Sequence, residues 1–223
     1  HARALVIAGA GSGKTRTLTY RVAWLLQQGI KPWQILLLTF TNKAAREMIE
    51  RVRNLTAEAQ LDIWAGTFHS IGSRILRRHA ELIGHTRSYS ILDRDDQKSL
   101  MSGLLKAMDL GDARKKFPKA DVLLSIYSLA ANTDRDVAAV VNDKYEHFLE
   151  WLPQIEQLHQ LFSKAKTESN SVDFDDLLLK TVHLLRNHEG VREQYQRQFR
   201  HILVDEFQDC LLYTSDAADE EDS

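Results

Sequence analysis

Cysteine is nearly missing: the 223-residue chain has one, Cys210. One thiol cannot build a disulfide framework or a cysteine-based zinc site within the chain. No apolar run approaches the ~18 residues that a membrane-spanning helix needs, and no basic-then-apolar leader opens the chain. A cytoplasmic protein with no membrane partner is therefore expected. No internal repeat recurs, and no low-complexity segment lies outside the tail. Lys and Arg are absent from that tail, 210–223, which carries five acids: Asp216, Asp219, Glu220, Glu221 and Asp222. The chain as a whole has an ordinary globular balance, 43% hydrophobic and 27% charged. One large domain or two small ones both fit. The nine histidines are scattered, with only His79/His85 and His183/His188 close together, and they read as surface or core side chains.

Charge is unevenly spread. The formal charge is −2, and removing the five tail acids turns it into +3. Residues 1–70 hold nine Lys/Arg against four Asp/Glu. A basic front half suits a phosphate-bearing partner, although many enzymes share that balance.

Apolar periodicity sets out the architecture. Residues 2–9 read as a buried strand ending in glycine. A helix is expected from Lys14 to Gln28, with Leu18, Val22 and Leu25 on one face, stopped by Gly29. Ile35–Phe40 reads as a second strand, Ala44, Met48 and Val52 mark a second helix, and Ile63–Phe68 reads as a third strand. Strands alternating with helices predict a parallel sheet with crossover connections. From Ser70 to Arg200 the pattern is helical: Asp93 caps a helix carrying Leu100, Leu104 and Met108, and 119–130, 136–165, 173–187 and 190–198 follow. Strand character returns at His201–Glu206. The predicted fold class is an α/β core with a parallel sheet over 1–70, interrupted by an all-helical insertion over 71–198 and resumed at 199–209.

The stretch Ala8–Thr15 follows a strand and opens a helix, the context of a P-loop. Its glycines let the backbone wrap phosphate oxygens, and the helix N-terminus adds free N–H donors. Ala10, Gly11, Ser12, Gly13, Lys14 and Thr15 would cradle ATP. Lys14 would reach the β- and γ-phosphates, and the Thr15 hydroxyl would ligate Mg²⁺. Ala8 stands where the strict pattern has glycine. The run Ile202-Leu203-Val204-Asp205-Glu206-Phe207-Gln208-Asp209 supplies the carboxylate such a loop requires. Its apolar residues bury a strand and deliver Asp205 to the C-terminal end, where ligands bind in open α/β sheets. Asp205 would hold Mg²⁺ and Glu206 would activate the attacking water. The plainer alternative is a strand that ends in a solvated acidic turn.

Taken together, these stretches resemble the UvrD/Rep/PcrA family of superfamily 1 DNA helicases. The resemblance covers residues 4–209 and adds Thr39–Met48, Gly66–His69, Val172–Leu178 and Ile91–Asp93 with Gln97. It implies a RecA-like first motor domain with a helical subdomain, moving along single-stranded DNA in the 3′-to-5′ direction at the expense of ATP, in repair or replication restart. By motif match, Phe40, Thr41 and Asn42 would line the DNA track, with a base stacked on Phe40. Lys43 and Arg46 would neutralise phosphates, and Thr67, Phe68 and His69 would form the next contact. Gln208 would sense nucleotide beside the catalytic Lys14 and Glu206. Asp173, Asp175 and Asp176 match an acidic motif of the insertion. Each has a plainer alternative: a core position for Phe40, a solvated helix face for Lys43 and Arg46, a buried structural His69, an exposed amide for Gln208, and N-capping with surface charge for the three aspartates. Trp24, Trp33, Trp64 and Trp151 read as core or half-buried packing residues, with base stacking as the alternative.

Two departures from the family pattern stand out. The segment that would carry an adenine-reading glutamine ahead of the first strand is not present, so the base preference is not encoded here. Residues 210–223 look like adapter read-through, and a non-native, disordered tail is expected there; sequencing the source gene past the codon for Asp209 checks it. The second motor domain and the arginine finger are expected in the full-length chain. Little or no ATPase and no unwinding are therefore expected from this chain alone, and an apolar sheet flank left without its strands. Other readings are a P-loop NTPase that never touches nucleic acid, a non-catalytic DNA- or protein-binding remnant, and a helicase fused to a nuclease.

Overall fold

The computed structural model describes residues 13–56, 61–108 and 116–205. The strand expected over 2–9 and everything after Asp205 lie outside them. The described residues form two compact units, 13–72 with 185–205, and 73–184.

In the first unit, four consecutive apolar residues form β1 (Ile35–Leu38), buried on both faces, as suits the middle strand of a parallel sheet. β2 (Trp64–Gly66) and β5 (His201–Val204) flank it in the order β2–β1–β5, all parallel. Ile35 and Leu37 project towards α1 (Lys14–Gln27) and α2 (Asn42–Thr56), in one core with Val22, Leu25, Met48, Val52 and Leu203. Leu36 is in register with Trp64 on the other face. Trp64 is sealed there by Tyr195 of α9 (Glu189–Gln198) and by Phe199, with ring centroids 6.1 and 5.1 Å away. α9 thus packs with the sheet, and the boundary between the units falls at Leu185, earlier than the 198 expected from the sequence. β5 is an outer strand of the described sheet, and its Ile202 is 60% exposed.

Local chemistry sets the ends. α1 stops at Gly29, as expected: φ is 84°, and the amides of Gly29 and Ile30 return to Leu26 and Leu25 carbonyls. The strands are shorter than expected. β1 ends at Leu38 and β2 at Gly66, and Phe68 opens α3 (Phe68–Arg78). The Thr67 hydroxyl accepts from the Ser70 amide at 3.1 Å, and this cap outweighs the strand tendency of Phe68.

The second unit is mostly helical. α4 (Arg94–Ala107), α5 (Ala120–Thr133), α6 (Val137–Lys144), α7 (Leu152–Glu168) and the start of α8 (Phe174–Asn187) make it up. Met101, Leu123, Ile126, Val140, Ile155 and Leu158 form its core. Two expectations are corrected. The helix expected over 136–165 is broken, because Pro153 sits in the first turn of α7, where its missing N–H costs nothing and its ring blocks extension backwards. The insertion is also not all-helical: β3 (Ser90–Ile91) pairs in parallel with β4 (Ser171–Val172). Strands of two residues show no period in a sequence. They are held by a long-range clamp. The Thr86 amide donates to Asn170 Oδ1 at 2.9 Å, and Asn170 Nδ2 donates to Thr86 Oγ1 at 2.7 Å. Asn170 has φ 47°, a left-handed conformation that asparagine tolerates better than most residues.

Each short strand leads into a capped helix. Asp93 Oδ1 accepts from the Asp96 amide at 2.9 Å, as expected, and Asp173 Oδ1 accepts from the Asp176 amide at 2.8 Å. Lys166 Nζ reaches both Asp173 Oδ2 (2.6 Å) and Asp176 Oδ2 (2.7 Å), with its own side chain 10% exposed. Burial works against the charge on Lys166, but the Asp176 and Asp173 carboxylates outweigh it and raise the pKa. Lys166→Ala would strand two carboxylates in a dry site. We predict a loss of about 3–5 kcal/mol in urea unfolding, and an unchanged midpoint would show the triad to be solvated.

Two histidines of this unit have their pKa lowered by their surroundings. Burial lowers the pKa of His85, helped by the positive charge of Lys180 and, more weakly, of Lys166; Asn170 and Asp176 pull the other way. Burial, then Lys166, lowers that of His159. With folded pKa values below the unfolded ~6.5, the unfolded chain takes up protons first. Stability is then full above about pH 7.5 and is lost as pH falls through 6.5. A lower melting temperature at pH 5.5 than at pH 7.5 is expected, with a shallower slope for His85→Phe. An equal slope in that variant would remove His85 as a cause.

Candidate nucleotide and nucleic-acid site

The first turn of α1 carries the candidate phosphate residues. Gly13 caps it with φ 89° and ψ 22°, a left-handed backbone that a side chain would strain. No acidic residue lies in that turn, so the positive end of the helix dipole favours an anion there. Lys14 and Thr15 follow directly. The Thr15 hydroxyl donates to Asp205 Oδ2 at 3.1 Å, joining residues 190 positions apart. Asp205 is 6% exposed, and its amide donates to the Leu38 carbonyl at 2.8 Å, so the backbone of β1 fixes it at the end of β5. Ala10, Gly11, Ser12, Glu206 and Gln208 lie outside the described residues.

Hydroxyl and carboxylate are hard oxygen donors of the kind Mg²⁺ takes. No cluster of three or more His, Cys, Asp or Glu able to hold a metal occurs among the described residues. Such a pair of oxygens fits Mg²⁺, which keeps several waters and takes further oxygens from nucleotide phosphates.

Two further loops leave the same edge of the sheet. After β1, Phe40 is 66% exposed, which rules out a core position. Thr41 caps α2, its hydroxyl accepting from the Ala44 amide at 3.1 Å. Asn42, Lys43 and Arg46 lie exposed at the start of that helix. After β2, Thr67, Phe68 and His69 are half-buried where α3 begins. The loops are tied together by the Thr39 amide, which donates to the Gly66 carbonyl at 3.0 Å. Thr15, Asp205, the Phe40 loop and the Thr67 loop therefore gather at the C-terminal edge of one parallel sheet. Asp173 and Asp176 are instead bound to Lys166 and to each other's backbone, and Asp175 accepts from Asn132 at 3.0 Å. The capping reading holds for Asp173 and Asp176.

The UvrD/REP helicase N-terminal domain family matches residues 1–213. The chain belongs to the UvrD/REP helicase family. It is 42% identical over 209 residues to the ATP-dependent DNA helicase PcrA of Bacillus subtilis strain 168. The same-named proteins of Leuconostoc citreum and Staphylococcus aureus strain Mu50 are 40% and 39% identical over 210 and 207 residues. Each match covers 92% of this chain and 27% of the relative. Among the described residues of this UvrD/REP-type chain, no helix is long and apolar enough to cross a membrane.

Sequence reasoning assigned no role to Thr39, Gly66 or Ser70. A glycine ending a strand was the available signal, since it marks a close approach. A Cβ on Gly66 would stand 2.3 Å from Ser70 Oγ, which itself donates to the Thr67 carbonyl at 3.0 Å. We predict that Gly66→Ala costs about 1 kcal/mol, the worth of that hydrogen bond, and clearly less in a Ser70→Ala background. Equal costs in urea unfolding of both pairs would show that the contact is not what excludes a side chain.

Proposed function

We propose that this chain is the ATP-binding and single-stranded-DNA-binding N-terminal part of an ATP-dependent 3′-to-5′ DNA helicase, with a RecA-like core interrupted by a largely helical insertion, acting in repair or replication restart. One observation carries the reading. The Thr15–Asp205 contact lies at the sheet edge from which the Phe40 and Thr67–His69 loops also emerge.

On this reading the amides of the first turn of α1 and the Lys14 ammonium hold the nucleotide phosphates. Thr15 and Asp205 would hold Mg²⁺, which would neutralise phosphate charge. Glu206 takes the proton of the attacking water, and Gln208 couples the nucleotide to DNA. Phe40 offers a ring to a base, a contact indifferent to sequence, while Thr41, Asn42, Lys43 and, from the next loop, Thr67, Phe68 and His69 bind the strand. Turnover and unwinding need the second motor domain and its arginine, so the chain alone binds both ligands and hydrolyses little ATP. The charge contributed by Lys43 and Arg46 makes DNA binding weaken with salt.

The test uses the 223-residue chain, a fluorescent ATP analogue with Mg²⁺, and a labelled oligo(dT) at fixed salt. Lys14→Ala is expected to lose the nucleotide and keep the oligonucleotide. Phe40→Ala is expected to weaken the oligonucleotide by roughly 5- to 150-fold, the equivalent of about 1–3 kcal/mol of stacking, with nucleotide affinity unchanged. Nucleotide binding with no oligonucleotide binding would favour an NTPase that does not act on nucleic acid.

A further inference from the structure

Thr39 is 1% exposed, yet it precedes the most exposed large ring among the described residues, Phe40 at 66%. A buried hydroxyl needs a partner. Thr39 Oγ1 donates to the Thr41 carbonyl at 2.8 Å, closing a tight loop around Phe40. The two residues beside Phe40 are anchored independently. The Thr39 amide is bound to Gly66 at the end of β2. The Thr41 carbonyl also accepts the Ala45 amide at 3.1 Å, and its hydroxyl accepts the Ala44 amide. The Thr39 hydroxyl is the link between these anchors. It ties together the backbone on both sides of Phe40, and the ring stands outward from that loop.

We infer that Thr39 is a positioning residue for nucleic-acid binding: its buried hydroxyl holds Phe40 in the orientation in which a base of single-stranded DNA stacks on it. This rests on the DNA-binding reading of Phe40 given above. Thr39 touches no base itself. It acts by sparing the strand the entropy of ordering the loop on binding, the usual gain from preorganisation. The hydroxyl is what matters, because the neighbours of a fully buried side chain are set by its shape, which valine reproduces.

Thr39→Val keeps the branched shape and stiff χ1 and deletes only the donor. Thr39→Ser keeps the donor. In the 223-residue chain, oligo(dT) affinity, affinity for the fluorescent ATP analogue and melting temperature are measured for both, beside Phe40→Ala and the Thr39→Val/Phe40→Ala pair. Thr39→Val is expected to weaken oligo(dT) about 3- to 10-fold, the worth of one hydrogen bond, with nucleotide affinity unchanged. Thr39→Ser restores most of the loss, and the double variant binds no more weakly than Phe40→Ala. If Phe40→Ala weakens oligo(dT) and Thr39→Val does not, the positioning role is wrong and the DNA-binding reading stands. If neither variant weakens it, the DNA-binding reading of this loop has failed and the proposal falls with it. A parallel loss of oligo(dT) binding, nucleotide binding and melting temperature in Thr39→Val would assign Thr39 to general stability and overturn the proposal.

Discussion

Burial of β1 on both faces constrains everything else in the sheet-bearing unit. Its four apolar residues are covered by α1 and α2 on one side and share the other with Trp64 and its aromatic cover. A strand enclosed in this way can release its chain only at its ends, and parallel neighbours release theirs at the same end. The loops after β1 and β2 and the carboxylate after β5 are therefore brought to one edge. Backbone bonds between Asp205 and Leu38, and between Thr39 and Gly66, continue the ladder past the last strand residues and stiffen that edge. The residues proposed to carry the chemistry sit on this row.

The helical unit meets a different constraint. Its core is apolar, but its short β-pair is held by polar contacts: the Thr86–Asn170 clamp, two aspartate caps and the buried Lys166 between two carboxylates. Buried pairs of this kind add little net stability while they are intact and cost much when broken. The acidic motif at Asp173–Asp176 thus has an account in structure, independent of any ligand.

Much of the fold was legible in the sequence. The apolar run of β1, the glycine stop at Gly29 and the cap at Asp93 are local signals, and each appears where expected. The P-loop reading placed Gly13, Lys14 and Thr15 at a helix start, and they are there. The misses were non-local or competitive. The β3–β4 pair depends on residues about eighty positions apart. Pro153 broke an apolar pattern that otherwise looked continuous. Phe68 could have extended a strand, but the Thr67 cap started a helix. Of the four tryptophans read as core or half-buried packing residues, Trp64 is buried, Trp151 packs on the helical core, and Trp24 and Trp33 are each 46% exposed.

The sequence by itself determined the residue types: a lysine and threonine behind glycines, an aspartate behind an apolar strand, an aromatic ahead of a basic helix start. It also determined the family, because a set of motifs in order is a property of the chain. Only the tertiary structure decided that the Thr15 hydroxyl meets Asp205 across 190 positions, that Phe40 faces outward while Thr39 is buried, and that Asp173 and Asp176 are taken up by Lys166. The reason is physical. Periodicity and caps are set by neighbours within a few residues, whereas the partner of a buried polar group is whatever the packed fold brings within about 3 Å.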